Sequence, residues 1–282
     1  MVMRQKSFLG LSPAGFHNIA YTEWGDPTAS RTIVCCHGLT RNGRDFDALA
    51  TRLAKHARVI CPDIVGRGRS DWLRDAAHYA YPQYCADMNA LIARLDISEL
   101  DWVGTSMGGL IGMTLAAQVG TPIRRLVVND VGPFVPKTAL LRISDYVGLD
   151  NRFSSLKAVE THLRKVLAPF GPLTDAQWQH LVAHGHRQRS DGTFGLAYDP
   201  AIAINVKMAV QDWDLWPVWD RINVPTLVLR GAESDLLLPQ TAEEMTQRGP
   251  RAKLVTWPGM GHAPALMAPD QIGLIEEWLT AN

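Results

Sequence analysis

The chain has 282 residues, 46% of them hydrophobic and 20% charged, which is enough length and apolar content for a sizeable packed core. Its 28 basic and 28 acidic residues cancel, and no Lys/Arg-rich run stands out, so nucleic acid is not expected as a partner. One large domain, or one domain carrying a long insertion, fits better than two equal domains.

The first eleven residues carry Arg4 and Lys6 but no adequate apolar stretch, and His17, Asn18 and Glu23 soon interrupt any hydrophobic run. This predicts neither a signal peptide nor a membrane span, and the expected location is the cytoplasm. Residues 18–24 read as an early strand paired with 7–11. Residues 32–36 form a short unbroken apolar strand, followed at once by His37-Gly38. Cys35 and Cys36 are adjacent on it, so their side chains are expected on opposite faces. With Cys61 and Cys85 they match neither a disulfide framework nor a zinc site, and buried reduced thiols are expected. Apolar residues recur at helical spacing over 46–56, then a strand at 59–61 ends in Pro62-Asp63. A helix over 84–95 leads to a strand at 101–104, a helix over 107–119 and a strand at 126–128. After a long interval, strands at 226–229 and 254–256 and a helix over 272–279 close the chain. Short Val/Ile/Leu runs between helices indicate a parallel sheet buried on both faces, an α/β fold.

Residues 134–220 break this rhythm. The segment is helical in pattern, aromatic, and punctuated by Pro136 and Pro169. It is expected to be a helical cap inserted between two sheet strands, with residues 1–133 and 221–282 forming the core domain. Most of its aromatics should pack its own core, and a few should line a pocket.

Gly104-Thr105-Ser106-Met107-Gly108 is the one G-x-S-x-G match. It lies where a strand gives way to a helix, the context that a strained nucleophile elbow requires. Gly104 and Gly108 flank the serine because a Cβ there would meet neighbouring backbone. A serine hydroxyl needs a base within reach, and the base needs an orienting acid. His262, in Gly261-His262 after the last predicted strand, is the first choice as base, since parallel sheets place chemistry at strand C-termini. His37 also ends a strand, and a structural role suits it better. Asp235 is the first choice as acid: it follows the strand at 226–229 and gives the chain order Ser, Asp, His. Asp130, which ends the strand at 126–128, is the rival. Asp63 is read with Gly66-Arg67-Gly68-Arg69-Ser70 as a loop-shaping group. His184 and His186 form an H-x-H without further ligands at sensible spacing, so they are expected at the surface and no metal site is assigned.

Together, His37-Gly38, Asp63-x-x-Gly66-x-Gly68-x-Ser70, Gly104 to Gly109, Gly231-x-x-x-Asp235 and Gly261-His262 resemble the α/β-hydrolase fold superfamily, in its serine-nucleophile, esterase-like branch. The resemblance implies an eight-stranded, mostly parallel sheet with helices on both faces and a helical cap after the sixth strand. It also implies an oxyanion hole made by the backbone N–H groups of Leu39 and Met107.

The expected activity is hydrolysis of a small-molecule carboxylic ester, lactone or thioester through an acyl-enzyme. Ser106, His262 and Asp235 would form the triad, with activity rising as His262 becomes neutral. That scheme calls for no metal or organic cofactor. Two other readings share the fold. One is carbon–carbon bond cleavage in a vinylogous diketone, although Ala263 stands where the meta-cleavage hydrolases commonly have Trp. The other is a non-catalytic receptor for a small ligand. Substrate identity and oligomeric state are not encoded in any motif.

Overall fold

A computed structural model describes residues 2–208 and 211–281. Eight strands form one sheet: β1 Met3–Ser12, β2 Gly15–Trp24, β3 Thr32–Cys36, β4 Arg58–Pro62, β5 Leu100–Thr105, β6 Ile123–Asn129, β7 Thr226–Gly231 and β8 Lys253–Trp257. Their spatial order is β1-β2-β4-β3-β5-β6-β7-β8. The pairs from β4 through β8 are parallel. Only β1 and β2 run antiparallel to their neighbours. This is the expected α/β architecture, with β3 matching its apolar run and the other strands extending slightly past theirs.

The helices are α1 Asp47–Leu53, α2 Tyr81–Leu95, α3 Met107–Ala116, α4 Lys137–Ser144, α5 Leu156–Val166, α6 Asp175–Gly185, α7 Ala203–Met208, α8 Trp216–Trp219, α9 Pro239–Gln247 and α10 Pro269–Thr280. Alternation along the strands fills two apolar layers. Val34, Cys36, Ile60, Trp102 and Val128 pack with α2, α3 and α9 on one face. Ile33, Cys35, Val59, Val103 and Leu229 pack with α1 and α10 on the other. The adjacent thiols therefore do face opposite ways, and all four cysteines are unpaired. Helix α9 escapes the sequence reading because its nine residues, Pro-Gln-Thr-Ala-Glu-Glu-Met-Thr-Gln, offer little apolar period; Ala242 and Met245 carry its buried face.

Between β6 and β7 lie α4 to α8. Helix α5 begins at Ser155, whose side chain accepts from the Ala158 N–H, and α6 begins with a capping box between Thr174 and Gln177. Val159, Leu163, Trp178 and Leu181 pack these two helices into a separate apolar cluster with Met267. Two short antiparallel ladders complete the segment: His186–Gln188 with Phe194–Leu196, and Phe134–Val135 with Trp213–Asp214. Of the aromatics, Trp219 is fully buried against the core face, whereas Phe170 and Trp213 border cavities at Ser106. No described helix is long and apolar enough to cross a membrane.

Candidate active site

Strand β5 ends at Thr105, and the chain turns through Ser106 at φ 52° and ψ −114° before α3 begins. That conformation is costly for a residue with a side chain, and the surroundings hold it in place. The Ser106 N–H donates to the Asn129 carbonyl at 2.9 Å, and its own carbonyl accepts from Gly109 N–H at 2.8 Å. The flanking glycines have a plain cause. A Cβ on Gly104 would lie 2.2 Å from the Gly108 oxygen, and one on Gly108 would lie 2.1 Å from the Cys36 oxygen. Such approaches leave room for hydrogen only.

His262, on the loop after β8, brings Nε2 to 2.9 Å from Ser106 Oγ. The loop is tethered on two sides: Asn129 Nδ2 donates to the Pro264 carbonyl at 2.9 Å, and Gly261 N–H donates to the Pro169 carbonyl at 2.8 Å. His262 Nδ1 lies 2.8 Å from Asp130 Oδ2. An ionised carboxylate only accepts, so in the neutral ring the proton sits on Nδ1, and Nε2 is left to accept from the serine hydroxyl.

The carboxylate at His262 thus belongs to Asp130, and the first choice from sequence, Asp235, is corrected on this point. Asp130 is fully buried, and its other lone pairs accept from Gly231 N–H at 2.8 Å and Ser234 Oγ at 2.6 Å. Three donors therefore compensate the burial of its charge. Asp235 is 49% exposed and points to the inserted segment, where it pairs with Arg142 Nε at 2.5 Å and Nη2 at 2.9 Å. The sequence showed two acids after two strands. The deciding partner for Asp235 is a guanidinium 93 positions away, which no local pattern reveals. Ser234, which holds Asp130, was missed altogether, and Gly231 was noted only as part of a motif with Asp235.

Leu39 follows Gly38, where a Cβ would stand 3.7 Å from the Ser106 Cβ, and Met107 opens α3. Among the described residues, neither backbone N–H has an acceptor in the protein. His37 lies behind them and is fully buried; its Nδ1 donates to the Gly38 carbonyl at 2.7 Å and its Nε2 accepts from Ile64 N–H at 2.9 Å. Burial lowers its pKa to about 4, so it is a neutral brace. Asp63 accepts from Gly43 N–H and Arg69 N–H, tying two loops together, and its burial raises its pKa.

The histidine pair differs from expectation. His184 and His186 are half-buried, and His186 Nδ1 donates to the Val182 carbonyl at 2.6 Å. His184 meets His180 and Asp47, with potential ligand atoms all within 4.8 Å. Arg44 already holds the Asp47 carboxylate, through Nε at 2.9 Å and Nη2 at 2.5 Å, so a guanidinium supplies the positive charge there. Desolvation, with Arg44 and His180 adding to it, lowers the pKa of His184 to about 4.

Ser106 opens on a two-lobed cavity. One lobe, the more polar of the two, sets Thr40, Arg41, Asp45, Arg142 and Tyr146 among apolar walls that include Val166 and Phe170. The other holds about 300 Å³ and is almost wholly apolar, with Leu110, Leu140, Val206 and Trp213 along its walls. Leu39, Ser106 and Ile143 border both.

Residues 33–272 match the model of the alpha/beta hydrolase family. The chain belongs to that family. Among its relatives, a 3-hydroxybutyrate-oligomer hydrolase of Cupriavidus necator is 47% identical over 279 residues, covering 96% of this chain and 95% of the relative. A 2-(acetamidomethylene)succinate hydrolase of Mesorhizobium japonicum is 27% identical, with coverage of 83% and 82%. A crystal structure of an alpha/beta hydrolase from Novosphingobium aromaticivorans superposes with a TM-score of 0.87 at 37% identity, over 98% of each chain. In this chain the turn at Ser106, the imidazole of His262 and the buried carboxylate of Asp130 occupy the C-terminal edge of the parallel strands, where open α/β sheets hold their ligands.

Proposed function

We propose that this family member hydrolyses small carboxylic esters through an acyl-enzyme on Ser106. The observation that carries the reading is the unbroken hydrogen-bonded chain from Asp130 through His262 to Ser106, ending at the floor of a cavity. In this scheme Ser106 Oγ attacks the ester carbonyl while His262 Nε2 takes its proton. Asp130 orients the ring and stabilises the imidazolium. The Leu39 and Met107 N–H groups receive the oxyanion; the loss of one such donor typically slows turnover by about 10²–10³-fold. The alcohol departs with the proton held on His262. The same imidazole then activates water, which releases the acid and restores the serine.

For the substrate we propose short oligoesters of a hydroxy acid. The relative from Cupriavidus necator is named for such a substrate and matches along nearly its whole length. The cavity suits it on physical grounds: alkyl branches partition into the apolar lobe, and the carbonyl-rich, carboxylate-ended remainder has polar partners in Thr40, Tyr146 and Arg142. The test is release of monomer from 3-hydroxybutyrate dimer and trimer, run beside p-nitrophenyl acetate and a ring-fission dienoate. The esters should turn over and the dienoate should not, and Ser106→Ala should lose at least about 10³-fold. Full turnover by Ser106→Ala would exclude the mechanism, and turnover of the dienoate alone would exclude the ester reading.

A further inference from the structure

Arg67 sits on the loop after β4, between Gly66 and Gly68, and is fully buried. Buried guanidinium groups normally answer a carboxylate, because an unpaired charge is costly to desolvate. No described carboxylate makes an ion pair with this one. The two nearby buried acids are otherwise engaged: Asp63 with backbone N–H groups, and Asp199 with the Tyr79 hydroxyl at 2.7 Å. Arg67 Nε donates instead to the Leu39 carbonyl at 2.8 Å. Nη1 donates to the Val65 carbonyl at 2.7 Å and to Tyr84 Oη at 3.1 Å, and Nη2 lies 3.6 Å from Met107 Sδ. The guanidinium carbon also stands 4.9 Å from the centre of the Tyr84 ring.

Two of these contacts fall on Leu39 and Met107, the pair to which the acyl-enzyme reading assigns the oxyanion. Packing alone would be served by an uncharged side chain of similar length. The fork of donors and the retained charge call for a different account. A hydrogen bond to the Leu39 carbonyl fixes the tilt of the turn that aims the Leu39 N–H. A fixed positive charge in a dry site acts over several ångströms with little screening.

We propose that Arg67 is a positioning residue for the oxyanion site, holding the Leu39 turn in its productive tilt and placing a permanent positive charge beside the point where negative charge develops. This rests on the acyl-enzyme reading of Ser106. The field of Arg67 is felt locally, since it adds to burial in depressing the pKa of His37.

The test compares full-length Arg67→Met, which keeps length and loses charge, with Arg67→Lys, which keeps charge and loses the fork. A trifluoromethyl ketone that forms an alkoxide on Ser106 reports on the oxyanion. The matching trifluoromethyl alcohol fills the same cavity without forming one. In Arg67→Met, kcat on a short ester should fall roughly 30- to 100-fold with KM within about 3-fold, and ketone affinity should fall in parallel while alcohol affinity holds. Arg67→Lys should show the same split at roughly 10-fold, and it decides alone if the methionine variant does not fold. Activity within about 3-fold of wild type, or equal losses for ketone and alcohol, would show Arg67 to be packing only. Failure of the wild type to bind the ketone or to be labelled at Ser106 by a fluorophosphonate would instead remove the acyl-enzyme reading, and this proposal with it.

Discussion

Ser106 and Asp130 each stand one residue beyond the end of neighbouring strands, and both have positive φ, 52° and 56°. The Ser106 N–H donates to the carbonyl of Asn129, so the serine and the aspartate share one rigid backbone frame. His262 is the only member of the three that comes from a longer loop.

Replacing the two candidate acids should therefore give opposite results. Asp130→Asn removes the carboxylate that sets the His262 tautomer, and kcat should fall about 10³–10⁴-fold. Asp235→Asn breaks an exposed pair with Arg142, and activity should stay within about 3-fold of wild type. Steady-state kinetics of the two variants on one ester decides the matter; the reverse ranking would restore Asp235 to the triad.

Much of this was legible beforehand, and the failures have local causes. Ser106 is marked by glycines whose spacing follows from the close approach of backbone at the elbow, and His262 by Gly261, where a Cβ would stand 3.0 Å from Pro169 Cβ. The β-strands were legible because Ile33, Val59, Val103 and Val127 sit in unbroken apolar runs. The acid was not, since Asp130 and Asp235 both end strands, and their fates are set by Ser234 and Arg142 through tertiary contact alone. The environment of His184 was hidden for the same reason: its neighbour Asp47 comes from α1.

The elbow should tolerate no side chain at residue 108. The Cys36 carbonyl oxygen would lie 2.1 Å from the new carbon, and neither the strand nor α3 can retreat without losing core contacts. Gly108→Ala should cost on the order of 3 kcal/mol or more, read as a lowered midpoint in urea unfolding. A variant with the wild-type midpoint would mean that the turn is softer than its packing indicates.

The apolar lobe should set acyl-length preference. Val206 is half-buried on its wall, so a larger residue there fills space without opening the main core. Val206→Trp should lower kcat/KM for an octanoate ester at least about 10-fold and leave the acetate ester within about 3-fold. Equal effects on both chain lengths would place the acyl chain in the polar lobe instead.

Burial of neutral His37 should make stability fall in mild acid. Its pKa is about 4 in the folded chain against 6.5 as the ordinary value, so below about pH 6.5 the unfolded chain binds the extra proton. The stability contributed above pH 6.5 is lost as pH falls through 4, up to about 3 kcal/mol. Raised Asp63 works in the opposite sense, so the comparison is between wild type and His37→Gln. The stability gap between them, from urea unfolding at pH 7 and pH 4, should narrow toward acid. A constant gap would mean that His37 titrates in the fold as it does in the unfolded chain.

Cys35 and Cys36 are consecutive in the chain yet belong to different apolar layers, each sealed from solvent. Each is thus a latent reporter of its own side of the sheet. Under graded denaturant, alkylation resolved residue by residue would show which layer peels away first, with half-buried Cys85 modified ahead of both. The molecule carries, in the sulfur atoms of two adjacent residues, a gauge of how its two halves come apart.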